Sequence, residues 1–224
     1  MGMKHDMMQY EQIRFGSIQK LMKPGMLVYD IGAYDGISSA LIAQAVGGSN
    51  VVIVEPSETN WATIRAYWEA RKFDVPRATY AGFLGNRNKL NWAPRFAVNI
   101  GKFPAEADQF PISYAEEHSR FRSIQNPEHR PCMTLDVLSR IVGPPDGITM
   151  DVEGAEFLVL IGSQVVLSVD RPIVWVSIHP QFMKERFGDD PNLLHKFMAD
   201  FGYKETLLDV DQEEHWLFEP KEKS

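Results

Sequence analysis

The chain has 224 residues, of which 44% are hydrophobic and 24% charged, a balance that builds a globular core without a disulfide or metal staple. Its formal net charge of −7 argues against broad nucleic-acid binding, which usually carries a basic surplus over the phosphate footprint. The single cysteine, Cys132, excludes an internal disulfide and suits a reducing compartment.

The N-terminus (MGMKHDMMQYEQ) is polar, lacks the apolar run of a secretory signal, and has Asp6 where a myristoylation motif wants Ser or Thr. No apolar run approaches the ~20 residues that span a bilayer. A cytoplasmic protein without a membrane span is expected. Within residues 1–25 the spacing of Met7, Phe15, Ile18 and Met22 predicts a helix, stopped by Lys23-Pro24-Gly25. A buried strand over Met26–Ile31 and a glycine-bearing turn lead to a helix over Ile37–Val46, ended by Gly47-Gly48. Val51–Val54 reads as a second strand closed by Glu55-Pro56. Ser57 or Thr59 then caps a helix bearing Trp61, Ile64, Trp68 and Phe73. Ala78–Phe83 is a candidate third strand.

Residues 85–131 show little periodicity and many Pro, Asn and charged residues, and read as an insertion between the third and fourth strands. Beyond it come a helix over Thr134–Ile141, a strand over Gly147–Met150, a helix over Gly154–Ile161 and a strand over Ile173–Ile178. A helix over Asn192–Phe201 follows, with Gly202 as its stop, and then strands Tyr203–Leu208 and His215–Phe218 around an Asp209–Glu213 turn. Alternating strands and helices predict one doubly wound α/β domain over 1–224, with an antiparallel edge strand from the final pair. A ligand should sit beyond the carboxyl ends of its strands.

Three constellations carry chemistry. In Val28–Gly36 (VYDIGAYDG), Asp30 ends a strand, and Gly32 and Gly36 sit in the turn to a helix. That turn is either a plain connection or a ligand loop with free N–H groups at the helix start. Glu55 closes the second strand roughly 20 residues on, where an acid can take the two hydroxyls of a ribose. Together they point to an adenosine-containing cofactor. The turn reads G-A-Y-D-G and lacks the middle glycine of the dinucleotide fingerprint. Asp35 beside it is awkward for a diphosphate and comfortable for an amino-acid ammonium, so S-adenosylmethionine fits better. The third constellation is ITMDVEGAE, Ile148–Glu156.

The combination of VYDIGAYDG, VVIVEP, TLDVL and ITMDVEGAEFLVLIGS resembles the FkbM-type methyltransferases, from about Leu27 to Phe218. The resemblance implies a seven-stranded Rossmann-like domain that methylates a hydroxyl, often on a sugar or a polyketide-type product. It places the methionine part of the cofactor over Asp30, Gly32, Ala33, Asp35 and Gly36, the ribose on Glu55, and the adenine near Phe83 and Leu84. Asp151 falls beside the transferred methyl. The family usually carries Lys at the position of Thr149, and Glu-x-His where this chain has Ser177-Ile178-His179.

Deprotonating an alcohol near neutral pH suits histidine. His179 is therefore the expected base, with Asp151 or Glu153 orienting it or the substrate; the alternative is a histidine that only caps the chain before Pro180. Asp151 and Glu153 offer oxygen ligands to Mg²⁺, but no third acid has matching spacing, so no metal is assigned. The insertion over 85–131 is the expected substrate lid. Its Arg120, Arg122, His129 and Arg130, with His118, suit an anionic sugar or nucleotide-linked acceptor, or else a solvated or subunit-contact face. Trp92, Phe96, Phe103 and Phe110 are candidates for stacking on a sugar or for packing. Two rival functions remain: a nicotinamide-dependent sugar oxidoreductase or epimerase, whose G-x-G-x-x-G and Tyr-x-x-x-Lys are missing, and a non-catalytic cofactor-fold binding protein. Homo-oligomerisation stays open.

Overall fold

The computed structural model describes residue 13 and residues 15–88, 98–104 and 132–222. Ten strands occur among these residues. In chain order they are β1 (Val28–Ile31), β2 (Val51–Val54), β3 (Ala78–Tyr80), β4 (Phe83–Leu84), β5 (Val98–Ile100), β6 (Cys132–Met133), β7 (Gly147–Asp151), β8 (Ile173–Ile178), β9 (Tyr203–Val210) and β10 (Glu214–Pro220). Eight of them form the main sheet, in the order β5-β3-β2-β1-β7-β8-β10-β9. The other two, β4 and β6, make a separate parallel pair.

The central strands β3, β2, β1, β7 and β8 are parallel, and β1 and β2 are buried at every position. Unbroken apolar runs such as VVIV arise because both faces of the sheet are covered. Side chains alternate between the faces, so neighbours in sequence enter different cores. Tyr29, Ile31, Val52, Val54, Ile148 and Met150 pack on one face. Val28, Val51, Ile53 and Trp175 pack on the other, against Trp61 and Trp68 of the helix Glu58–Ala70. The same face takes Phe15 and Ile18 from a helix over 15–21 and Met22 just after it, as their spacing predicts; Met7 lies outside the described residues.

Three expectations need correction. The final hairpin does not put its antiparallel strand at the edge: β10 pairs with both β8 and β9, and β9 is outermost. Burial explains the choice, because Leu217 and Phe218 of β10 are buried whereas Leu207 and Val210 of β9 are exposed. The run 78–83 is not one strand but breaks after Tyr80, with Phe83 and Leu84 turning away to pair with Cys132 and Met133. The stretch read as an irregular insertion supplies β5, antiparallel to β3, as an eighth strand of the main sheet. The remainder of that stretch, 89–97 and 105–131, lies outside the described residues.

Candidate active site at the carboxyl ends of the strands

The singled-out residues of the core motifs collect at one end of the sheet, where β1, β2, β7 and β8 finish. The turn after β1 is held by its own backbone. Gly32 and Ala33 both donate to the Val54 carbonyl, Gly36 donates to Ala33, and Ile37 donates to the Asp35 carboxylate. The N–H groups expected to meet a ligand are thus largely occupied at 32–37, unlike a cradle for a diphosphate. Gly32 has φ +84°, and a Cβ there would lie 1.8 Å from the Asp151 carbonyl oxygen. The glycine lets the turn press on the end of β7.

Asp30 does not face open solvent. It is 2% exposed and accepts from Ser38, Ser39 and Thr149 hydroxyls at 2.7, 2.5 and 2.6 Å. It therefore ties β1, the helix Ile37–Val46 and β7 together instead of presenting both oxygens to an ammonium. Thr149, where the family usually has Lys, is one of its donors.

Glu55 follows β2 and is 4% exposed. Its two oxygens accept from the backbone of Tyr34 at 2.8 Å and Ser57 at 2.7 Å. Burial pushes its carboxyl up to about 7 despite those donors. The Asn60 side chain donates to it as well, which leaves one lone pair of the carboxylate for a ribose hydroxyl. Leu84 is buried in the core and Phe83 only half-buried, beside the end of β3.

The motif DVEGAE resolves into three jobs. Asp151 ends β7. Gly154, at φ +103°, lets the turn lie against Phe182, where a Cβ would meet that residue's own Cβ at 2.8 Å. Glu156 is wholly buried and its Oε1 accepts from Gly154 N at 2.9 Å and from His179 Nδ1 at 2.9 Å. The expected partner of His179 among these acids was Asp151 or Glu153. The structure puts Glu156 on Nδ1, leaves Glu153 exposed with its carbonyl accepting from Arg186, and sets Asp151 Oδ1 3.7 Å from Nε2.

Sequence reasoning missed Glu156 as a partner, and missed Glu213 entirely. Glu213, in the β9–β10 turn, has Oε2 2.5 Å from His179 Nε2. Its other oxygen lies 3.8 Å from His215 Nε2, and His215 Nδ1 in turn meets Ser177 Oγ at 3.0 Å. Burial alone would lower the basicity of His179, but the carboxylates of Glu156, Glu213 and Asp151 outweigh it and lift the group to about 11. The cage therefore favours the imidazolium form of His179 over the neutral form that a general base uses. The ring also stacks on Phe182, centroids 5.5 Å apart.

Asp151, His179 and Glu213 each offer a ligand atom, all within 4.8 Å of one another. The second acid of this set is Glu213 and not Glu153, delivered by topology and not by spacing. The substrate candidates Arg120, Arg122, His129 and Arg130 lie outside the described residues, as do Trp92, Phe96 and Phe110. Phe103 packs edge-on to Trp68 at 6.1 Å, a core role and not a sugar platform. Among the described residues no helix is long and apolar enough to cross a membrane.

The methyltransferase FkbM domain model matches residues 30–205. No curated protein matches the chain. Among solved structures, an FkbM methyltransferase from Methylobacillus flagellatus KT aligns with a TM-score of 0.58 at 17% identity, over 93% of this chain and 47% of its own. This chain therefore spans about half the length of that protein. An rRNA methylase from Streptococcus thermophilus aligns at TM-score 0.52 and 8% identity, over 95% and 97%. A methyltransferase from Geobacter sulfurreducens aligns at 0.51 and 14%, over 95% and 79%. At these identities the likeness is one of fold.

Proposed function

The chain belongs to the FkbM methyltransferase family, and from that premise we propose that it methylates a hydroxyl of a sugar, glycan or natural-product acceptor in the cytoplasm, using S-adenosylmethionine. The observation that carries the reading is the contact of Gly32 with Asp151, which sets the cofactor turn against the His179 cluster. The bound sulfonium supplies an electrophilic methyl carbon; binding, alignment and proton removal fall to the chain.

Glu55 takes a ribose hydroxyl. Gly32, Ala33, Asp35 and Gly36 shape the turn that receives the methionine part, and Asp30 acts through that turn by fixing its two ends. Phe83 lies against the adenine, with Leu84 behind it in the core. Asp151, with a side chain 30% exposed, is the carboxylate of the cluster best placed to meet an acceptor hydroxyl. His179 is held by Glu156 and charged by its neighbours, so it acts with Asp151 as a unit. Much of the rate comes from aligning oxygen, carbon and sulfur. Outside the eighth strand that it supplies, the stretch 85–131, with Arg120, Arg122, His129 and Arg130, selects an anionic acceptor.

Calorimetry with S-adenosylmethionine and with NAD, followed by a methyl-transfer screen over sugars, nucleotide sugars and polyketide alcohols, tests this. Binding of S-adenosylmethionine alone and a methyl on oxygen are expected. No cofactor binding, or transfer confined to nitrogen or carbon, would overturn it.

The ribose role of Glu55 has a pH signature. Its carboxyl titrates at about 7 when buried. An ionised acceptor bonds a hydroxyl about 1 kcal/mol more strongly than a neutral one. Affinity for S-adenosylmethionine should thus rise about fourfold between pH 6 and 8, as that hydroxyl bond gains. Glu55→Gln should bind more weakly at pH 8 and show a flat profile. A sloping profile in that variant would assign the titration elsewhere. Stability runs the other way: an acid raised from 4.5 to about 7 stabilises fully below 4.5 and loses that contribution as pH rises through 7.

A further inference from the structure

We propose that Asp151, His179 and Glu213 bind one divalent cation of the Mn²⁺ type, which holds the acceptor hydroxyl and acidifies it. The role given to the ion rests on the methyl-transfer reading above; its binding does not. The three ligands come from the end of β7, the residue after β8 and the turn before β10, and their donor atoms converge within 4.8 Å. One imidazole nitrogen with two carboxylates suits Mn²⁺ or Fe²⁺ better than an all-oxygen Mg²⁺ site. Two carboxylates neutralise the ion, and three ligands leave octahedral positions open for an acceptor oxygen and water.

The surroundings are those of a ligand histidine. Nδ1 is tied at 2.9 Å to Glu156, whose side chain is completely buried and itself fixed by the Gly154 N–H. Cation binding displaces the Nε2 proton to solvent, and the bond to Glu156 then keeps the remaining proton on Nδ1 and turns Nε2 toward Asp151 and Glu213, as a carboxylate behind a metal-bound histidine does. Three carboxylates meet one imidazole there, and the other cation acting on Glu156 is the Arg186 guanidinium. Carboxylates of Asp151, Glu156 and Glu213 converge on one imidazole, and the Oε2 atom of the wholly buried Glu156 has no hydrogen-bond partner among the described residues. Buried carboxylates without donors or cations are costly. The Glu213 turn is itself held, since Asp211 N donates to the Glu213 carbonyl and Glu213 N donates to the Asp211 carboxylate.

In the reaction the acceptor O–H bond breaks, with its proton passing to Asp151 and on to water. The O–CH₃ bond forms as the S–CH₃ bond breaks, and the electron pair returns to sulfur as a thioether. The ion stabilises the developing alkoxide and is unchanged.

The test is titration of Mn²⁺ into the chelator-treated full chain, followed by loss of the free-ion signal in electron paramagnetic resonance. Wild type should take up one ion per chain and melt at a higher temperature with it. Asp151→Asn and Glu213→Gln should each weaken uptake at least about tenfold. Glu213→Gln lies in a turn away from the cofactor loop, so it keeps the test decisive if Asp151→Asn folds poorly. No uptake by wild type, or equal uptake by the Glu213→Gln variant, overturns the site. Calorimetry with S-adenosylmethionine separates the two readings: cofactor binding without Mn²⁺ uptake refutes only the ion, and Mn²⁺ uptake without cofactor binding refutes only the methyl transfer.

Discussion

An alanine at Gly32 should destabilise the fold far more than an alanine at Gly25, although both glycines have nearly the same φ. Their φ values are +84° and +88°. An L-residue there pays roughly 1–2 kcal/mol. A Cβ added at Gly25 would meet nothing within 4 Å, so that penalty is its whole cost. At Gly32 the added carbon would lie 1.8 Å from the Asp151 carbonyl oxygen and 2.9 Å from its carbonyl carbon. Neither side can retreat easily. Ile31 is paired with Met150 and Val54, and Asp151 with Ser177, so separating them means parting the central strands. A loss above about 4 kcal/mol is expected, in the range reserved for strain and broken packing. Urea unfolding of both variants measures it. Equal losses would mean that the turn is not constrained by β7, and would remove the contact on which the placing of the methyl donor depends.

The fold was readable because its signals are local. Runs such as VVIV and IVWVSI are strands buried on both faces, and Lys23-Pro24-Gly25 and Gly47-Gly48 punctuate where the helices stop. The inner place of β10 was not readable, because it depends on comparing HWLF with YKETLL for burial across a hairpin. The site divides in the same way. Asp151 and His179 were legible as neighbours because each ends a strand and those strands are adjacent. Glu156 was in plain view in DVEGAE, and a buried acid so close to a glycine turn is the signal that could have found it. Glu213 carried no such signal. It looks like one more acid in a polar turn, and only the antiparallel pairing of β10 with β8 brings it to Nε2. Thr149 and Ser177, where the chain departs from its relatives, are both buried and hydrogen-bonded, to Asp30 and His215 respectively. Polar satisfaction explains why these departures are tolerated, and single-sequence reading has no access to it.

Changing Glu156 to glutamine is expected to lower kcat by about 10–100-fold while S-adenosylmethionine affinity stays within about twofold, the usual scale for a residue that orients a reacting histidine. Glutamine preserves the shape and can still accept from Gly154 N and His179 Nδ1, so the turn should fold. What it removes is charge. His179 stands at about 11 because Glu156, Glu213 and Asp151 surround it. With Glu156 neutral, imidazole resonances in the chelator-treated protein should titrate at lower pH. Stability should follow the same shift. A histidine raised from 6.5 to about 11 stabilises fully below 6.5 and loses that contribution as pH rises through 11. In the variant the loss should end at lower pH. His179→Ala should lower kcat more than Glu156→Gln does, since it deletes the group that Glu156 only positions. Glu153→Gln should fall well short of either, because Glu156 and not Glu153 holds Nδ1. Equal losses at Glu153 and Glu156, or an unmoved His179 titration, would show that the wholly buried carboxylate only supports the turn.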